Sequence, residues 1–355
     1  MAAEVTPQCP KVYYYLGNIW YDKSQYPEAQ ENWEKAAELD PEFPTALRNL
    51  ALVYYNKVND SSRARLVLEK AFALDPSDAR VFLELDQLYK KLGMSAEDRL
   101  AFYEKHKETF VKRDDLFIEY ITLKNFTGEY ENAYELLMGR KFHPWEGGEG
   151  KATTQYTTAL VGMAKKALAE EKYETAEELL EKALVYPENL GEGKLEGTKD
   201  NHINYYLALA KEALGKKECA EQLLEQAVVG TDEPAGMMFY YDQPADMIMY
   251  QGMALEKLHR STPSKSRFQK LISYGEAHIY DEIKKDYFAV SYPDLQIFEE
   301  DLTKKNKAHC YYLMGLGNLG LKDMEKAAYY FGETLKLDPH HLNAKIYLKD
   351  TEKAD

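Results

Sequence analysis

Residues 16–41 read LGNIWYDKSQYPEAQENWEKAAELDP, and residues 314–339 return to the same frame as MGLGNLGLKDMEKAAYYFGETLKLDP. Gly17, Ala29, Trp33 and Pro41 of the first stretch fall opposite Gly315, Ala327, Phe331 and Pro339 of the second. The spacing predicts two helices joined by a short turn. Gly17, Ala29 and Ala36 leave room for the helices to approach, and Trp20 and Trp33 fill the gap between them. A proline just past the second helix ends it, because it has no N–H and clashes with the preceding turn. A helix pair of about 34 residues cannot bury its apolar face alone, so such units stack.

The frame recurs between the two quoted stretches. A second unit, Pro44 to Pro76, carries Leu50, Ala51, Tyr54, Ala64, Leu68 and Ala71, with one extra residue near Asn59-Asp60. The third keeps Leu85, Tyr89 and Gly93 but sets Asp86 where a small residue belongs. Tyr120, Gly128, Tyr130, Ala133 and Leu137 mark the fourth, and Tyr173, Ala176, Leu180, Ala183 and Pro187 the fifth. Leu207, Ala208, Gly215, Ala220, Leu224 and Ala227 mark the sixth; Tyr250, Gly252, Leu255 and Phe268 mark the seventh. In the fifth unit Ala176, Leu179, Leu180 and Ala183 form an apolar stripe, while Glu177, Glu178, Glu181 and Lys182 are expected to face water. The expected fold is all-α: a right-handed α-solenoid of about eight helix–turn–helix units with loop insertions. The expected division is a disordered leader (1–9), N-terminal repeats (10–138), a Gly-rich loop (139–152), C-terminal repeats with insertions (153–340) and a capping helix with tail (341–355). His106, in the charged stretch AFYEKHKETFVKRDD, is expected at the surface.

Composition narrows the function. With 60 acidic against 45 basic residues and a net charge of -15, the chain repels phosphate backbones and anionic lipid heads. Nucleic acid and membrane are therefore not expected partners. Cys9, Cys219 and Cys310 are odd in number and far apart, which points to a reducing compartment with neither disulfide framework nor metal site. The opening MAAEVTPQCPKVYYYLG lacks a basic start followed by an apolar run, and no apolar stretch is long enough to span a bilayer. A cytoplasmic location is the expectation. His143, His309, His340 and His341 lack metal-ligand spacing, and neither Gly147–Gly150 nor Gly191–Gly193 ends in the Lys-Ser/Thr of a phosphate loop. No cofactor, metal ion or catalytic residue is expected.

Four insertions depart from the minimal unit: residues 140–150, 186–200, 229–245 and 286–294. Long loops at one edge of a repeat array are where function concentrates. His143, Trp145, Glu146, Glu149, Asn189, Glu192, Asp286, Tyr292 and Asp294 are the loop candidates. An aromatic ring beside carboxylates suits a polyhydroxylated ligand, whose C–H face the ring covers while the carboxylates accept from hydroxyls. The same residues suit an ordinary ordered loop, with Trp145 buried as a plug, and that is the weightier reading. Glu146, Glu149 and Glu192 are the carboxylates available if a glycosidic bond were cleaved here, giving a carbohydrate-processing enzyme as an alternative.

The quoted motifs, at residues 10–76 and 308–339, resemble the tetratricopeptide repeat family. FHPWEGGEG, YPENLGEG, DYFAVSYPDL and CYYLMGLGNLGL further resemble the C-terminal repeat array of large uncharacterised bacterial proteins. In those proteins a β-sandwich similar to aldose-mutarotase and glycosidase domains precedes the array. The resemblance implies carbohydrate-related work and a non-catalytic scaffold that docks or completes such a sandwich, with Tyr13 or Tyr14 resting against it. It assigns no catalytic residue. Tetratricopeptide clamps for chaperone C-termini are similar at Asn18, Asn49 and Arg80, but Tyr14 and Glu84 stand where that clamp needs cations. A terminal carboxylate is thus a poor ligand. A free-standing adaptor that grips a peptide on a tyrosine-rich concave face, with Tyr14, Asn18, Asn49 and Arg80 as its binding candidates and Tyr205, Tyr206, Tyr311 and Tyr312 among its tyrosines, is the other alternative.

Overall fold

A computed structural model describes residues 7–145, 147–236, 243–283 and 297–352. Among the described residues the regular structure is wholly helical, with eighteen α-helices, one π turn and one short 3-10 turn. The chain divides into two compact units, Met1–Phe117 with Gln296–Glu300, and Ile118–Leu295 with Asp301–Asp355.

The first unit holds α1 (Pro10–Asp22), α2 (Tyr26–Leu39), α3 (Pro44–Val53), α4 (Ser61–Leu74), α5 (Ala79–Lys91), α6 (Ala96–Lys105) and the single turn α7 (Lys107–Phe110). Helix α8 (Asp114–Thr127) begins there and runs on into the second unit. Proline in the first turn of α1, α2 and α3 starts those helices at no hydrogen-bond cost, since the first N–H groups have no partner anyway. Asp60, Asp78 and Ser95 start the next three as N-caps; Asp78 accepts from the amides of Arg80 (2.8 Å) and Val81 (3.2 Å).

The second unit continues with α9 (Tyr130–Met138), α10 (Lys151–Ala169), α11 (Tyr173–Ala183), α12 (Asn201–Ala213), α13 (Lys217–Ala227), α14 (Ala245–Lys257), α15 (Ser261–His278), α16 (Leu302–Gly320), α17 (Met324–Leu337) and the expected cap, α18 (Leu342–Glu352). Each helix packs on the next in sequence, and the first helices α10, α12, α14 and α16 also pack successively on one another. Stacked pairs with a shared inner layer follow from this pattern.

One backbone feature counts the repeats. Ser24, Asn59, Gly93, Gly128, Glu171, Gly215, His259 and Lys322 all have positive φ, each in the turn between the two helices of a pair. Their spacings are close to 34 residues up to Gly128 and lengthen beyond it, where the four insertions enter. Inside the pairs the expected close approach is realised: a Cβ on Gly17 would lie 2.4 Å from the Trp33 ring, and one on Gly315 2.6 Å from Phe331. Trp33 is buried, whereas Trp20 is only half-buried, with Lys23 above its ring.

Three irregularities have physical causes. The extra residue near Asn59 is absorbed as a π turn, Tyr54–Val58, closed by Asn59 at φ 58°. Asp86 is buried because Arg99 donates to it from Nε (2.9 Å) and Nη2 (2.7 Å) and Tyr103 from its hydroxyl (2.9 Å). His106, expected at the surface, is half-buried against Phe72, Phe82 and Phe102, and burial lowers its pKa. Glu177 likewise departs from a fully solvated face, being half-buried between Lys211 and Lys216.

Candidate functional site

The first two insertions meet in the second unit. Asn189 donates its side-chain amide to the carbonyls of Leu137 and Arg140, both at 2.9 Å, while its own carbonyl accepts from the Phe142 amide at 2.7 Å. Glu192 receives the Gly150 amide on both carboxylate oxygens (3.0 and 2.9 Å), at the N-terminus of α10. Desolvation raises its pKa, the Gly150 hydrogen bond lowers it, and the net direction is upward. These two candidates therefore spend their polar atoms within the fold. Trp145 is half-buried and lies over Gly148, where a Cβ would sit 2.0 Å from the ring. His143 and Glu149 are exposed. Glu146, Asp286, Tyr292 and Asp294 lie outside the described residues.

Asn201 and Asn306 act as Asn189 does. Asn201 holds the carbonyls of Ala227 (2.7 Å) and Val229 (2.8 Å), and Asn306 that of His278 (2.8 Å). In each case a side-chain amide satisfies a carbonyl left over where a helix ends.

In the first unit, the residues matching the chaperone clamp are tied to one another. Asn18 Oδ1 accepts from Trp33 Nε1 (3.0 Å) and Asn49 Nδ2 (3.1 Å). Arg80 and Arg48 both turn to the fully buried Glu84. The Tyr14 ring packs on Phe43 and Tyr15, and its carbonyl accepts from Trp33. Tyr13 donates to the Pro7 carbonyl, so of the three adjoining tyrosines Tyr15 is the exposed one.

A cavity of about 600 Å³ opens in the second unit. Met249, Met253 and Leu319 supply its apolar lining, and Tyr205, Tyr206 and Tyr347 its rings. Its walls come from α10, α12, α14 and α16, with α18 closing one side. Charges at the rim are mutually paired: Lys165 with Asp350, Lys257 with Glu212 (2.7 Å) and Lys322 with Glu256 (2.7 Å). Lys165 also lies 5.6 Å from the Tyr206 ring centroid and 5.9 Å from that of Tyr347. Burial works against its charge, but Tyr206 and Asp350 outweigh it, and the pKa moves up.

Behind the rings runs a buried polar chain. Tyr347 Oη lies 3.2 Å from both Asp246 Oδ2 and Tyr250 Oη, and Tyr250 Oη lies 3.3 Å from Tyr206 Oη. Asn343 Nδ2 also donates to Asp246 (3.2 Å). Desolvation pushes the Asp246 carboxyl up to about 6, against the lowering effect of its hydrogen bonds. Of this site, Tyr205 and Tyr206 were legible as first-helix tyrosines, but Lys165, Asp246, Tyr347 and Asp350 were not. Their one sequence signal is a polar residue breaking an apolar helix face.

Among the described residues, no group of three His, Cys, Asp or Glu side chains is placed to hold a metal ion. No described helix is long and apolar enough to cross a membrane.

Residues 17–58 match the family model of the TPR, or tetratricopeptide, repeat, so the α1–α3 stretch is of that kind. Solved structures with similar folds include YrrB, described as a TPR protein with an unusual peptide-binding site (18% identity, 61% of this chain and 96% of that one, TM-score 0.38). Others are the Naa15/Naa10 complex bound to HypK-THB (13%, 99% and 57%, TM-score 0.43) and a tetratricopeptide repeat protein from Parabacteroides merdae (14%, 97% and 98%, TM-score 0.32).

Proposed function

We propose that the chain is a non-catalytic protein-interaction scaffold whose second-unit cavity takes an apolar side chain from a partner's peptide. The cavity itself carries this reading: it is of ligand-binding size, methionine, leucine and tyrosine side chains line part of it, and six of the charged residues around it are paired with one another. Methionines in the lining adapt to more than one side-chain shape. The tyrosine rings and paired charges suit an apolar peptide side chain better than a free ion. The test is selection of peptides from a displayed library on the full chain, followed by affinity measurement on Met253→Asp and Tyr206→Ala. Selected peptides should be enriched in a bulky apolar residue and bind Met253→Asp at least tenfold more weakly, with an unchanged circular dichroism spectrum. Failure to enrich any peptide, or indifference to both substitutions, overturns the reading.

A second reading takes the partner to be a carbohydrate-related β-sandwich domain. Tyr15 and Ile19, one turn apart on α1, support it because both are exposed apolar side chains, at 61% and 48%. Under this reading Tyr15→Lys abolishes co-elution with such a domain; co-elution that persists counts against it. Direct sugar binding through the loops would appear as glycan-array signal lost in Trp145→Ala. The placement of Glu192 at a helix start supports a structural role for that loop rather than acid–base work.

A further inference from the structure

Residues Ile297–Glu300 belong to the first unit although 241 positions separate Ile297 from Asn56. They form no helix there, and side chains of the α3 π turn and α5 hold them. The Asn56 amide brackets Phe298: Nδ2 donates to the Ile297 carbonyl (2.9 Å), and Oδ1 accepts from the Glu299 amide (2.8 Å). Both bonds go to backbone, so they read a chain path rather than a residue type. The residue types are read beside it. Phe298 is buried with its ring edge-on to Tyr55, centroids 5.1 Å apart. Lys57 pairs with Glu299, and Lys91 with Glu300 at 2.8 Å. Lys57 also lies 4.8 Å from the Tyr26 ring centroid.

The geometry points to this face of the first unit as a binding site for peptide segments with an aromatic residue followed by two acidic ones, occupied in the free chain by its own Ile297–Glu300. Four features match that chemistry in register: a backbone clamp, a ring contact and two lysines in a chain of net charge -15. Phe298 is buried, and of the four charged groups in the two ion pairs Glu299 is the exposed one, so its pair with Lys57 contributes little. What favours the native segment is tethering, which gives it a high effective concentration. A partner segment of the same chemistry binds by displacing it. This site is separate from the second-unit cavity, and either assignment can fail alone.

The probe is a fluorescein-labelled peptide of residues 295–302, LQIFEEDL, titrated into the full chain and followed by polarisation. The opened chain carries Phe298→Ala, Glu299→Ala and Glu300→Ala together. It should bind the probe at least tenfold more tightly than the unaltered chain does, and adding Asn56→Ala should remove at least tenfold of that affinity. An opened chain with an unchanged circular dichroism spectrum that binds no better than the unaltered one overturns the proposal. So does binding indifferent to Asn56→Ala. Should the opened chain fail to fold, hydrogen exchange on the unaltered chain decides: excess unlabelled peptide should speed exchange of the Glu299 amide, and an unchanged rate overturns the proposal. A concentration-dependent dimer by light scattering, lost in Phe298→Ala, would give the site to a second copy instead and sink the partner-peptide assignment.

Discussion

At Gly17 there is no room for a side chain: a methyl would sit 2.4 Å from the Trp33 ring. Gly17→Ala should destabilise the fold by about 1–3 kcal/mol, the cost of overpacking a filled contact, despite alanine's better helix propensity. A urea denaturation series checks it. The opposite sign is expected at Glu171, an exposed residue held at φ 58° in the turn of its pair. Glu171→Gly relieves the left-handed strain and should gain up to about 1 kcal/mol, seen as a higher Tm. At Asp86, removing the carboxylate takes a two-point ion pair from the buried Arg99, so Asp86→Ala should cost about 3–5 kcal/mol in the same denaturation assay. The glycine–aromatic pairs were legible because both members sit at a constant spacing. Asp86 was legible only as an anomaly, since nothing local ties position 86 to Arg99.

At the scale of elements, the insertions read as loops, and their polar residues could be read two ways from sequence. Asn189 holds the carbonyl end of α9 and Glu192 the amide start of α10. Glu192→Ala should therefore weaken the α10 N-terminus by about 1–2 kcal/mol, as expected for loss of a charged cap. Faster amide exchange confined to residues 150–154 is the observable; uniform change across the second unit would show instead that the loop is a keystone of the core. His106 went the other way, from an expected surface position to a ring contact with three phenylalanines. The charged stretch around it gave no sign of this, because the phenylalanines it meets come partly from α4 and α5.

At the scale of the whole molecule, the consequence of the buried polar chain is a pH dependence. The Asp246 carboxyl is raised from 3.8 to about 6 by burial, so its charged form is disfavoured in the folded state. Its contribution is fully present below about pH 4 and is lost as pH rises through about 6, amounting to about 3 kcal/mol by linkage. Asp246→Asn removes this component. The stability of the variant relative to the unaltered chain should rise by that order between pH 4 and pH 7 in urea melts, and a pH-independent difference would show that Asp246 is not the group responsible.

What the sequence determined by itself is the repeat: helix pairs, their turns, the glycines beneath aromatic rings and the places where loops interrupt. These depend on residues within one unit, where spacing of a few tens of positions is enough to specify contact. Tertiary structure alone decided which polar groups are spent and which surfaces are filled. Lys165 meets Asp350 across 185 positions and Asn56 meets Ile297 across 241. Such contacts are made only when stacked units return distant chain to the same place, and no local periodicity encodes that return.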